Sequence, residues 1–459
     1  MFYRSFIHCL ATFQLKHKGF LTSPTASFRF TFRRRFSRVS GSRKPFTMKV
    51  DTPEFRSLFT PGFKILLDLF SKHEYELRIA GGAVRDILSG QVPKDVDFAT
   101  TATPDQMKKM FTDEGVRMIN MKGEKHGTIT ARIEDENFEV TTLRIDVTTD
   151  GRHAEVQFTT DWELDANRRD LTINSMFLGS DGTVYDYFGG YDDLKVKKVA
   201  FVGDPTKRIQ EDYLRILRYF RFFARISEDP DKHDPSTIAA IKDNINGLER
   251  ITGERIWMEL SKILAGNFVF HTVSKLLEVG AAPFIGLPAQ PNLVELQVVC
   301  KRTEGLNPRP VTLLASLLAS EEEMMLLHGR LKLSSIDRDL GRFITAFRNK
   351  SLGLKDCQKM MLRPDANLSD TRVYISELFK YEAKLECLDQ FLKWEPPKFP
   401  INGNTLKEND VPSGKPIGRV LKALKNSWID SDFTKTSEQL LNELPDVMRT
   451  LNIKPTNVK

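Results

Sequence analysis

The sequence predicts an α+β fold, with a mixed head followed by an all-α remainder, on three observations. Between residue 60 and about residue 190, short strand-like apolar alternations interleave with helical patterns. After Gly203 the apolar residues adopt a helical period and keep it. Within the mixed part, residues 81–98 read GGAVRDILSGQVPKDVDF, where a glycine pair and two carboxylates one residue apart lie at a strand–helix–strand transition.

In order along the chain, residues 62–71 predict a helix and 76–80 a short strand running into the Gly81-Gly82 turn. Residues 83–88 begin a helix, and 94–99 predict the strand that carries both carboxylates. Residues 104–111 read as a helix with Pro near its first position. Residues 128–133 and 138–144 pair as strands across a turn at 134–137. The polar run 141–152, TTLRIDVTTDGR, reads either as a mobile lever or as a plain connecting loop. The helical half contains 212–226, 236–245, 253–264 and 311–318. The C-terminal stretch from Pro396 to the end carries Pro396, Pro397 and Pro412 and predicts only short helices.

The chain has 459 residues, enough for about two to four domains. It is 40% hydrophobic and 28% charged, a soluble globular balance. No apolar run approaches the ~20 residues of a membrane span. The four cysteines are scattered and make no metal-binding spacing. The net charge of +7 is misleading. Residues 1–47 contain ten Lys or Arg and no Asp or Glu, so the remainder is at −3. An acid-free leader with Arg33-Arg34-Arg35 and several serines predicts a mitochondrial transit peptide over 1–47; a basic disordered arm is the alternative. Met48 follows directly, and a start there yields a second, cytosolic or nuclear form.

Gly81 and Gly82 lack a Cβ, which lets the backbone approach a triphosphate. Arg85 adds a planar cation matched to phosphate oxygens. Asp95 and Asp97, placed on one face of a strand, are hard oxygen ligands suited to Mg²⁺ and in-line nucleotidyl transfer. Glu139, also on a strand, reads as a third carboxylate or as an exposed strand residue. In RRDLTIN, Arg169 is placed to hold phosphate and Asp170 to accept from a ribose hydroxyl. Asp212, Arg215, Arg218 and Arg221 recur every three residues, with Leu214, Leu217 and Phe220 packing behind them. Read alone, each of these two clusters is by default a solvated charged face. Asp186–Gly190 reads as a structural turn, and the His233-Asp234 pair as a loop, because the chain has too few histidines for a phosphohydrolase metal site.

Together GGAVRD, DVDFAT, RRDLTINSMF, DYFGGYDDL, EDYLRILRYFRF and ERITGERIWMEL resemble, in order, the eukaryotic and bacterial class of CCA-adding tRNA nucleotidyltransferases. The resemblance runs from Gly81 to Leu260. Beyond the expected transit peptide (1–47), it implies a nucleotidyltransferase head (48–190), a helical neck (191–265), a helical body (266–345) and a tRNA-binding tail (346–459). By the same resemblance, Gly81, Gly82, Arg85 and Arg169 meet the triphosphate and Asp170 the ribose. Asp95 and Asp97 ligate Mg²⁺, with Glu139 as a further acidic residue. Asp212 and Arg215 read the base, with Arg218 and Arg221 beside them, and residues 249–260 support that reader. The substrates implied are tRNA, CTP and ATP. A poly(A) polymerase of the same superfamily and a non-catalytic RNA-binding protein are the alternatives.

Overall fold

The computed structural model describes residues 45–119, 121–149, 154–364 and 367–456. The leader expected over 1–47 therefore lies outside the described residues except for its last three.

The head is built on an eight-stranded sheet. Its strands are β1 (Phe46–Lys49), β2 (Leu77–Ala80), β3 (Asp97–Thr100), β4 (Arg117–Ile119), β5 (Thr128–Ile133), β6 (Glu136–Thr142), β9 (Phe177–Gly179) and β10 (Thr183–Asp186). The order across the sheet is β1-β10-β9-β2-β3-β6-β5-β4. All neighbours are antiparallel except β3 and β6. β7 (Arg144–Thr149) and β8 (Ala154–Phe158) form a separate antiparallel pair. Part of the 141–152 run is thus a strand and not a loop; residues 150–153 lie outside the described ones.

Central strands are apolar because both faces are covered. Ile79, Ala80, Phe98 and Ala99 are all buried. Helix α1 (Pro61–Lys72) lies against them, and its Phe63 ring packs 5.0 Å from that of Phe98. Thr60 starts α1 by accepting a hydrogen bond from the Phe63 amide at 3.1 Å. Helix α2 (Gly82–Leu88) follows β2 directly, and α3 (Pro104–Asp113) opens with a Thr103/Gln106 capping box.

Two boundaries differ from expectation. The sheet begins at Phe46, so the last residues assigned to the leader belong to the head: Phe46 pairs with Asp186 and Thr47 with Tyr185. The second concerns the carboxylates. β3 starts at Asp97, and Asp95 lies before it in a bend. Pro93 two residues earlier has no N–H to give a ladder, which leaves the approach irregular.

The helical half follows. It includes α4 (Trp162–Arg168), which precedes β9, then α5 (Pro205–Glu211), α6 (Arg215–Ile226), α7 (Pro235–Asn244) and α8 (Gly253–Leu264). α6 starts three residues later than predicted, because Asp212 is extended (φ −153°) and ends α5. Its Oδ1 accepts from the Leu214 amide at 3.1 Å, a local bond that competes with the helix. On α6, Leu217, Tyr219, Phe220 and Phe223 are buried while Arg215, Arg218, Arg221 and Arg225 share the opposite face. One continuous core runs from Val50 to Tyr381. The segment around Ile401–Met448 builds its own core. There the expectation of short helices fails: α9 (Lys415–Asp430) is 16 residues long. Its Pro416 occupies the first turn, where proline starts a helix. Among the described residues no helix is long and apolar enough to cross a membrane.

Candidate active site

One cleft gathers nearly every singled-out residue. Gly81, Gly82, Arg85, Asp95, Asp97, Arg169, Asp170, Asp212, Arg215, Arg218 and Arg221 all line it, a cavity of about 690 Å³. Head residues form one wall and the α6 face forms the other.

The glycine turn sits at the head end. Gly81 has φ +68°, a conformation that favours glycine, and a Cβ there would come within 2.9 Å of an Arg169 guanidinium nitrogen. Arg85, on α2, is buried and donates to Asn174 Oδ1 at 2.5 Å and to Asp86 Oδ1 at 2.9 Å. Burial pulls its pKa down, against the Asp86 charge. Asp86 in turn accepts from Arg225 of α6 at 3.0 Å, an ion pair that ties the head to the neck.

Arg169 is aimed by Asp165 at the end of α4. Its Nε and Nη2 donate to Asp165 Oδ2 at 3.2 and 3.1 Å, and its guanidinium lies 4.9 Å from the Phe177 ring. Burial pushes the Asp165 carboxyl up, but Arg169 and Arg168 outweigh it and hold it below the usual range. Asp170 is nearly enclosed. Arg218 donates to its Oδ2 at 2.6 Å and the Leu171 amide to its Oδ1 at 2.9 Å.

Asp95 and Asp97 differ from these. Neither carboxylate makes a hydrogen bond or ion pair with the described residues. Loss of surrounding water pushes the Asp97 carboxyl up, opposed by Arg169 and reinforced by Asp95. Glu139 sits opposite Asp97 in the parallel β3–β6 register and so projects from the same face, but it does not line the cleft. Among the described residues, no group of three or more His, Cys, Asp or Glu could hold a metal ion. Two unpartnered carboxylates nevertheless fit Mg²⁺, which is usually bound by one or two carboxylates together with substrate phosphates.

The wall opposite the head carries the second acidic–basic pair. Asp212 Oδ2 accepts from Arg255 of α8 at 2.7 Å. Arg215 donates to the carbonyls of Arg208 and Arg168 at 2.9 and 3.0 Å and to Glu211. These bonds leave two of the five Arg215 N–H groups and about half of the Asp212 acceptor capacity available. Behind them Arg221 pairs with buried Glu259 at 2.9 Å and lies 4.2 Å from the Phe222 ring.

Sequence reasoning missed several lining residues: Lys94, Arg144, Asp146, Arg168, Asn174, Arg225 and Arg255. Asn174 and Arg168 stood inside the RRDLTIN run. Arg255 stood in a segment read only as support and not as a substrate contact; it donates to Asp212 and also lines the cleft. The two structural readings also fit. Asp186 accepts from the amides of Phe188, Gly190 and Tyr191, fixing the glycine turn. A Cβ on Gly190 would fall 2.1 Å from the Thr172 carbonyl oxygen. His233 is in a loop, stacked 3.7 Å from the Phe223 ring centre, and Asp234 caps α7.

The sheet, the glycine turn and the carboxylates define a nucleotidyltransferase, a superfamily that generally uses divalent metal ions. Residues 77–200 match the family described as "Poly A polymerase head domain", and residues 232–290 match "Probable RNA and SrmB- binding site of polymerase A". The chain is 54% identical over 403 residues to the mitochondrial CCA tRNA nucleotidyltransferase 1 of Mus musculus, covering 86% of this chain and 93% of that protein. To the protein of the same name from Homo sapiens it is 52% identical over 417 residues, covering 89% and 96%. The solved Bacillus stearothermophilus CCA-adding enzyme in complex with CTP shares the fold, with a TM-score of 0.66 at 24% identity, covering 88% of this chain and 99% of that one. The chain belongs to the CCA tRNA nucleotidyltransferase family.

Proposed function

We propose that this protein adds C, C and A to the 3′ end of tRNA from CTP and ATP, without a nucleic-acid template and with Mg²⁺. The carrying observation is that the Asp95/Asp97 carboxylates of the head and the Asp212/Arg215 pair of the neck line one cleft.

Asp95 and Asp97 would hold Mg²⁺. When bound there, the metal lowers the pKa of the attacking hydroxyl and offsets charge on the leaving oxygens. Gly81 and Gly82 let the backbone approach the triphosphate, while Arg85 and Arg169, held by Asn174 and Asp165, supply cations of fixed direction. Asp170 accepts from the ribose. The tRNA 3′-hydroxyl attacks the α-phosphate and pyrophosphate leaves. Asp212 accepts from the exocyclic amine of cytosine or adenine, and Arg215 donates to the adjacent ring nitrogen. Uracil and guanine present a carbonyl and a ring N–H instead, leaving both protein groups unpaired. At ~1–3 kcal/mol for each such group, rejection of roughly a hundredfold or more follows. Glu139, facing the same side of the sheet, serves as an outer acidic neighbour of Asp97.

The decisive assay supplies tRNA lacking its CCA end with CTP and ATP. Three residues followed by a stop are expected. A long A tail would instead make the protein a poly(A) polymerase. No Mg²⁺-dependent pyrophosphate release would make it a non-catalytic RNA binder.

The relatives' names and the acid-free leader support mitochondrial residence. A start at Met48 supplies a second, cytosolic or nuclear pool and removes only Phe46 and Thr47, both exposed, from β1. Imaging a fluorescent fusion of Met48→Ala tests this: an undiminished pool outside mitochondria sinks the idea.

A further inference from the structure

Among the described residues nine arginines line the cleft, and every one donates to an acceptor of the protein itself. Lys94 is different. It lines the same cleft, it is exposed, and among the described residues it makes no hydrogen bond or ion pair. It also directly precedes Asp95, in the irregular approach to β3. Among the described residues, the only cation of this wall without a partner therefore adjoins the two carboxylates without partners. Arginines fixed by acceptors act as rigid forks, whereas an ammonium on a flexible four-carbon stem can follow a moving anion.

We propose that Lys94 is the leaving-group contact of the reaction: its ammonium hydrogen-bonds the β- and γ-phosphate oxygens of the incoming nucleotide and stabilises pyrophosphate as it departs. This rests on the reading of Asp95 and Asp97 as the metal carboxylates. In the step, the bond between the tRNA 3′-oxygen and the α-phosphorus forms. The bond from the α-phosphorus to the α,β-bridging oxygen breaks, and its electron pair leaves on that oxygen. The hydroxyl proton passes to solvent, and Lys94 keeps its own proton and contributes charge alone.

The test uses the full chain with Lys94→Met and Lys94→Arg, measuring binding of CTP and of CMP, and inhibition by inorganic pyrophosphate. In Lys94→Met, CTP affinity falls and the pyrophosphate inhibition constant rises, each by roughly tenfold or more. Affinity for CMP, which lacks the β- and γ-phosphates, stays the same, and Lys94→Arg recovers most of the loss. CTP and pyrophosphate constants within about twofold of the parent protein in Lys94→Met overturn the proposal. Asp97→Ala assayed alongside keeps the two readings apart: turnover by that variant defeats the metal assignment, whatever Lys94 does.

Discussion

Arg255 donates to Asp212 across 2.7 Å, joining two residues 43 positions apart at the neck wall of the cleft. Asp212 lies outside any helix, so its own backbone does little to aim it; the Arg255 bond and the Leu214 amide fix its carboxylate between them. Losing the guanidinium frees the carboxylate to turn. Arg255→Met is expected to raise UTP incorporation relative to CTP by about five- to fiftyfold while Mg²⁺ dependence is unchanged, as read from kcat/KM with single nucleotides. Asp212→Ala should relax selectivity further still. Unchanged UTP rejection in Asp212→Ala removes it from base reading.

Asp97→Ala, and Asp95→Ala with it, are expected to abolish incorporation of both nucleotides without unfolding the protein. Neither carboxylate carries a structural bond, so circular dichroism and the melting temperature should be close to those of the parent. A collapse in stability would show that the pair holds the fold together.

Asp170 and Arg218 form a 2.6 Å ion pair in a nearly enclosed setting. If Asp170 accepts from the ribose hydroxyl as proposed, Asp170→Ala should reduce kcat/KM for CTP more than for dCTP, which lacks that hydroxyl. The same change removes the nearer ion-pair partner of Arg218 and leaves Glu259 at 3.9 Å, so some loss of stability is expected beside the catalytic effect. A fall in melting temperature with no change in the CTP/dCTP ratio would leave Asp170 a structural role alone.

His233 supplies a pH signature. Burial, aided by Lys275, pushes its pKa down from 6.5 to about 4, and the Tyr219 hydroxyl lies 3.0 Å from Nδ1. The unfolded chain takes up a proton at higher pH than the folded one does. Stability from this group is therefore complete above about pH 6.5 and declines as pH falls toward 4. His233→Gln should be less stable at neutral pH through loss of the Phe223 stack, yet show a smaller drop in melting temperature from pH 7.5 to 5.

Much of this site was legible because its chemistry is local in sequence. Gly81, Gly82, Arg85, Asp95 and Asp97 fall within 17 residues, and the α6 arginines share a helical period that survives in the structure. What escaped was the context that only packing supplies. Asp95 was expected on the strand, but Pro93 and the bend displace it. Asp212 was expected on the helix, but its side chain bonds a backbone amide and ends the preceding one. Arg225 and Arg255 carry no signal of their own, since an exposed-looking arginine on an amphipathic helix reads as solvated surface until its acceptor is known. The tail helix Lys415–Asp430 escaped because the prolines that mark the stretch as broken, Pro396, Pro397 and Pro412, all lie before it, while Pro416 stands in its first turn, where a proline starts a helix.

The β3–β6 seam bears on how the protein is made. The strand bearing Asp97 is flanked by β6, about forty residues downstream, and by β2, whose other neighbour β9 comes nearly a hundred residues later. A ribosome synthesising this chain thus exposes the strand that begins at Asp97 long before its sheet can close around it. The cleft itself is finished only when Arg255 clears the exit tunnel. A nascent chain that ends before Arg255 lacks the guanidinium that fixes the Asp212 carboxylate, so the wall opposite the Asp95/Asp97 pair is complete only after residue 255 has been made.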